Sequence, residues 1–185
     1  MSLAPKPLFR DPVYDGAADP VVIWNRVERC WFMFYTNRRA TMTGLPGVSW
    51  VYGTRIGIAA SSDGANWTYR GVASIAYGDA DDAHWAPDVF FEGGRYHMFF
   101  CYRYSTGYRG RERGYRIGYA ASDDLETWAR DDARAGIDVS DEGWDSEMVS
   151  YPHVFELDGR VRMLYLGNQV GRGGFGLAEL EGDLA

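Results

Sequence analysis

Short apolar runs alternate with polar turns along this chain, and the runs are too brief and too rich in aromatic and β-branched residues for helices. Val21-Val22-Ile23-Trp24 and Trp31-Phe32-Met33-Phe34-Tyr35 form one such pair, joined by a polar turn. The same two-strand phrase recurs as Pro87-Asp88-Val89-Phe90 through Met98, and again 65 residues later as Pro152-His153-Val154-Phe155 through Met163. The turns between them, Glu92-Gly93-Gly94-Arg95 and Glu156-Leu157-Asp158-Gly159-Arg160, carry residues that accept positive φ or bond their own backbone.

A third strand repeats as clearly. Arg55-Ile56-Gly57-Ile58-Ala59-Ala60-Ser61-Ser62-Asp63, ending at Trp67, returns 61 residues later as Arg116 to Asp124, ending at Trp128. Phe175 to Ala178 supplies its counterpart in the third unit, and in the first two units an outer strand starts at the Trp. No helical stripe interrupts the pattern. Four-stranded meanders repeated along a chain predict an all-β fold, a β-propeller of four-stranded antiparallel blades. About three blades fit, at roughly 14–75, 84–135 and 145–182, within a single domain spanning 1–185.

Meander geometry then says where chemistry can sit. The start of each first strand shares an end with the connection between the second and third strands. Those connections are long in two units, 37–54 and 104–115, and long loops in an economical fold usually carry function. The segments leading into the first strands are acidic: Asp15 to Pro20, Asp79 to Asp88, and Trp144 to His153. First strands line a propeller's axis, so these carboxylates are expected to converge at one mouth. Converging carboxylates are what glycosidic cleavage needs, one protonating the leaving oxygen and another activating water or attacking the anomeric carbon.

Composition narrows the partners. Aromatics make up 16%, with seven Trp and thirteen Tyr, which suits both strands and sugar stacking. A net charge of −7 argues against nucleic acid or an anionic membrane surface as partner. No apolar run has the length of a membrane span, and the N-terminus lacks a secretory apolar core, so a soluble cytoplasmic protein is the default expectation. Cys30 and Cys101 read as two buried, unpaired thiols. No zinc-site spacing is present, and neither a metal nor a cofactor is expected.

Asp19-Pro20 before a first strand, Trp85-Ala86-Pro87-Asp88 before a second, and Ser122-Asp123-Asp124-Leu125 with Trp128 at a turn resemble glycoside hydrolase family 43. They also resemble its five-bladed arabinanase, xylosidase, invertase and mannoside-phosphorylase relatives. The resemblance covers roughly Tyr14 to Glu181 and implies a carbohydrate substrate, with Asp19 as general base, Asp88 orienting and tuning pKa, and Glu147 as general acid. Two departures accompany it. The relatives have five blades and this chain about three, so the chain is a shortened or partial member, or another copy completes the ring. The family acid stands in Glu-Gly-Pro directly before the strand, whereas Glu147 lies five residues before Pro152, with Asp145 as the fallback.

Other residues are expected to touch a sugar: His84, His153 and Trp85 at the mouth, Trp50 and Tyr52 in the first long loop, and Arg38 and Arg39 at the end of a second strand. His97 reads as a core residue. Asp19 also reads as a plain Asp-Pro turn, and Asp88 as a buried carboxylate bonded to backbone amides. Residues 102–116 hold five arginines, read either as a solvated loop or as a clamp for an anionic group. The leading expectation is a glycoside hydrolase. The alternatives are a non-catalytic carbohydrate-binding or assembly module, and a phosphate-dependent phosphorylase.

Overall fold

The computed structural model describes residues 4–14, 16–37, 54–182 and 184, and in them the repeats fold into three sheets. The first runs in chain order through β1 (Ala17–Asn25), β2 (Cys30–Asn37), β3 (Ile56–Ser61) and β4 (Thr68–Val72). Then come β5 (Ser74–Ile75), β6 (Asp82–Glu92), β7 (Arg95–Tyr104), β8 (Arg116–Ser122) and β9 (Thr127–Arg130). The third sheet holds β10 (Ser150–Leu157), β11 (Arg160–Leu166) and β12 (Phe175–Glu179). Within each sheet consecutive strands pair antiparallel, as the alternating pattern predicts.

The second sheet differs from the expectation by one strand. β5 leaves the first blade and pairs parallel with β9, placing Ser74 opposite Thr127 and Ile75 opposite Trp128. The Ala73 amide still donates to the Ile56 carbonyl while the Ser74 amide donates to that of Glu126, each at 2.9 Å, so one short segment fastens two blades. A strand of two residues buries too little to be legible as a pattern. The third sheet has three strands among the described residues.

The second strands of the first two blades, β2 and β7, read as largely apolar runs because both of their faces are covered. Phe32 and Phe34 point into the layer between blades one and two, where Ile56, Ile58, Met98, Phe100 and Trp128 close a buried core. Met33 and Tyr35 face the other way, against Phe9 and Trp67. Phe99, Tyr119, Val149 and Met163 fill the layer between blades two and three. Trp128 meets the Phe34 ring edge-on at 5.6 Å, and its indole N–H donates to the Leu125 carbonyl. At the turn before it, Ser122 Oγ accepts from the amides of Asp124 and Leu125, and the Asp124 carboxylate from those of Glu126 and Thr127. Ser61 and Asp63 build the same turn one blade earlier.

In each blade the third strand sets a glycine opposite a second-strand ring: Tyr35 faces Gly57, Phe100 faces Gly118 and Tyr165 faces Gly176. A Cβ at Gly57 would lie 2.3 Å from the Tyr35 ring, and one at Gly118 2.7 Å from that of Phe100. Neither thiol is in a disulfide. Cys101 is wholly buried and Cys30 only half so. Among the described residues no helix is long and apolar enough to cross a membrane.

Candidate functional site

Each blade enters its first strand through the same irregularity. The register of β1 slips between Ala18 and Val21, that of β6 between Trp85 and Asp88, and that of β10 between Ser150 and His153. Each slip holds an Xaa-Pro pair: Asp19-Pro20, Ala86-Pro87 and Tyr151-Pro152. Proline has no amide to give the ladder, so a bulge is where a strand accommodates it. The residue before each proline takes a left-handed φ, +50° at Asp19, +45° at Ala86 and +54° at Tyr151. Three non-glycine residues in that sparsely populated region, at equivalent places, is strain concentrated at one end of the molecule.

At the second and third bulges a neighbouring blade binds the amide of the residue before the proline. The Ala86 amide donates to Thr36 Oγ1 on β2 at 2.9 Å, and the Tyr151 amide to Cys101 Sγ on β7 at 2.9 Å. Thr36 and Cys101 hold the same position, each paired across its sheet with the residue that opens the slip. Thr36 Oγ1 in turn donates to Asp19 Oδ2 at 2.9 Å. One hydroxyl thus positions a first-blade carboxylate and secures the second blade's bulge.

The bulges surround an open hollow of about 330 Å³ lined by Asp19, Pro20, Val21, Ala86, Pro87, Asp88, Tyr151, Pro152 and His153. Asp88 is half-buried in its wall. Its Oδ2 accepts the Val154 amide at 2.5 Å and lies 3.5 Å from Nδ1 of the exposed His153. Burial pushes the Asp88 carboxyl above its ordinary value, against the pull of the Val154 amide and of His153. Burial likewise pushes the Tyr151 hydroxyl up to about 12, helped by Tyr115, Cys101 and the negative charge of Asp19.

Of the residues expected at the mouth, Asp19, Asp88 and His153 meet in this hollow. Glu147 does not line it. Its side chain is exposed on the loop before β10, whose backbone is held by its own amide to Asn168 Oδ1 and by Arg116 to its carbonyl. Asp145 is buried and accepts from the Tyr165 hydroxyl at 3.0 Å. In the repeat defined by the three bulges, Ser150-Tyr151-Pro152 stands where the family resemblance carries Glu-Gly-Pro. Ser150, which opens this slip, is wholly buried.

His84 and Trp85 are corrections. His84 is 1% exposed, with Nε2 at 3.2 Å from Asp82 Oδ2 and 3.1 Å from Arg130 Nη1. Trp85 is 3% exposed and packs edge-on against Tyr115, with the Arg103 guanidinium over its ring. Both precede the β6 bulge, and the strand's pleat turns them into protein on opposite faces, where no sugar reaches them. His97 is a core residue as expected, bonded to the Tyr119 hydroxyl and the Glu92 carbonyl. Arg38, Arg39, Trp50 and Tyr52 lie outside the described residues.

The arginine-rich segment is engaged within the protein. Arg113 pairs with Asp81 at 2.6 Å, and Arg111 donates to the carbonyls of Ser140, Asp141 and Ser146. Arg116 pairs with Asp138 at 2.8 Å. These side chains brace the loops of the mouth, so Arg111 and Arg113, two of the three arginines that could have formed the anion clamp, have partners within the protein. Among the described residues no cluster of acidic, His or Cys side chains is suited to a metal. Thr36 and Tyr151 went unrecognised in the sequence, although Xaa-Pro at one phase of every repeat was the signal that could have exposed them.

No protein-family model matches the chain. Relatives from two strains of Mycobacterium tuberculosis, each described as an uncharacterized protein, are 41% identical over 124 residues, covering 66% of this chain and 39% of theirs. Among solved structures, a family 117 glycoside hydrolase of Zobellia galactanivorans aligns with a TM-score of 0.66 at 20% identity, over 91% of this chain and 52% of that one. A thermostable family-43 glycoside hydrolase gives 0.61 at 16%, over 94% and 51%. The Cellvibrio cellulosa α-L-arabinanase gives 0.57 at 21%, over 91% and 49%, and has also been solved complexed with arabinohexaose. The fold is that of the β-propeller glycosidases, with the chain spanning about half the length of these structures and 39% of its curated relatives.

Proposed function

We propose that this chain carries the catalytic carboxylate face of a glycoside hydrolase acting on an oligosaccharide. The observation that carries this reading is the meeting of Asp19 and Asp88 in one hollow, on a scaffold shared with glycosidases. Asp19, solvent-facing and oriented by Thr36, takes the proton of the water that adds to the anomeric carbon. As that C–O bond forms, the glycosidic bond breaks and its oxygen takes a proton from the acid. Glu147, on the exposed rim, is assigned that step and must reach inward when sugar is bound. Asp88 and His153 bind hydroxyls of the reacting ring and set the field around Asp19. Water as the nucleophile predicts inversion.

A second reading, sugar binding without turnover, is favoured by the serine at position 150. Both are tested by measuring hydrolysis and binding of aryl glycosides, arabino-oligosaccharides and xylo-oligosaccharides. Turnover abolished by Asp19→Asn and by Glu147→Gln, with folding intact, supports hydrolysis. Turnover that survives Asp19→Asn overturns it, and binding with no turnover in the unmodified protein selects the second reading.

A further inference from the structure

We propose that Trp144 is a sugar-stacking platform on the rim, holding a neutral hexose or pentose ring of an oligosaccharide whose neighbouring residue occupies the hollow. The proposal rests on the carbohydrate reading of that hollow. Trp144 lies six residues before β10, at the same end of blade three as the bulges.

Its indole is fixed from behind. A Cβ at Gly167 would lie 2.4 Å from the ring's Cε3, and one at Gly176 2.7 Å from Cζ2 and Cη2. Two glycines thus clear the floor under opposite edges of the six-membered ring. Tyr165 stacks on the indole at 5.4 Å, inclined by 28°, and its hydroxyl is tied to Asp145. The Trp144 carbonyl accepts the Asn168 amide at 2.8 Å, while Asn168 Oδ1 takes the amides of Glu147 and Met148. Arg111 holds the same loop through three carbonyls.

With all this backing the side chain remains 39% exposed. A plug for the blade would be covered. A flat ring held in advance yet still partly exposed pays little entropy on binding and suits the C–H face of a sugar. Glu147 and Gln169 nearby in the chain bring hydrogen-bonding groups for the hydroxyls. The other exposed pair, Trp24 and Trp31, meets edge-on at the opposite end of blade one and serves as a control.

Calorimetry with arabinohexaose and xylohexaose on the full chain tests this. Trp144→Ala is expected to weaken binding of the preferred sugar by roughly 10-fold, Trp144→Phe by less, and Trp24→Ala not at all. Should Trp144→Ala misfold, fluorine NMR of fluorotryptophan-labelled protein reads the site directly, with the Trp144 resonance assigned through Trp144→Phe. It must shift on sugar addition. Unchanged affinity in a folded Trp144→Ala, or an unmoved resonance, overturns the platform while leaving the hollow standing if Asp19→Leu or His153→Ala still weakens binding. If the unmodified protein binds neither sugar, platform and hollow fall together.

Discussion

Thr36 donates its hydroxyl to the Asp19 carboxylate at 2.9 Å while accepting the amide of Ala86 from the next blade. The side chain is buried, so neither partner is easily replaced by water. Thr36→Val keeps the volume and removes both bonds. The orphaned Ala86 amide is expected to lower stability by about 1–3 kcal/mol. Loss of Asp19 orientation is expected to lower turnover roughly 10- to 100-fold. Thr36→Ser should recover most of both, and denaturation curves alongside kcat check the pair of effects.

Asp88 gives a prediction whose sign is set by pH. Burial raises its folded pKa, so once ionised it weighs against folding, and that penalty is relieved as pH falls through the folded pKa. Asn at 88 can still accept the Val154 amide but carries no buried charge. Asp88→Asn is therefore expected to be as stable as the parent or more so at neutral pH, with the difference shrinking on acidification. The long contact to exposed His153 subtracts little. Urea melts at several pH values decide it, and a variant destabilised at neutral pH contradicts the burial argument. Activity should nonetheless fall.

Arg130 joins a buried ionic cluster, at 2.7 Å from Asp82 and 3.1 Å from His84 Nε2. Burial alone would raise the Asp82 carboxyl, but His84, Arg130 and the Gly78 amide hold it below its ordinary value. Burial also keeps His84 below its usual range, against the pull of Asp82. Both groups bind fewer protons folded than unfolded, so both stabilise at neutral pH and lose that contribution as pH falls, His84 starting near 6.5. Arg130→Met strands the Asp82 charge and should cost about 3–5 kcal/mol, measured by thermal or chemical unfolding near neutral pH.

Gly57 and Gly118 hold their places for steric room. Alanine at either drives a methyl into the facing ring, at 2.3 Å from Tyr35 or 2.7 Å from Phe100. Each substitution should cost about 1–3 kcal/mol by overpacking. At Gly57, pairing the change with Tyr35→Leu should return part of the loss, a coupling that a double-mutant cycle measures.

How much was legible differs from residue to residue. The Gly57 and Gly118 strands, the Ser-Asp-Trp turns and the three first strands could be read directly, because each rests on contacts within a few residues of chain. The two histidines could not be told apart. His84 and His153 both sit beside an Xaa-Pro in an acidic segment, yet one precedes the bulge and turns into the Asp82–Arg130 cluster while the other follows it and lines the hollow. Glu147 drew attention by its charge, and Ser150 escaped it for want of one, although Ser150 opens the third bulge.

Alternation, turn chemistry and a recurring phrase were enough, without coordinates, to establish an all-β chain of repeated blades with acidic segments leading into its first strands. These are local properties, carried by side chains that alternate every second residue and by turns of a few residues. Only the folded molecule decided which of those acids share a space. Each bulge shifts the phase of its strand by a step invisible to periodicity, and the amides of Ala86 and Tyr151 find their acceptors on a different sheet.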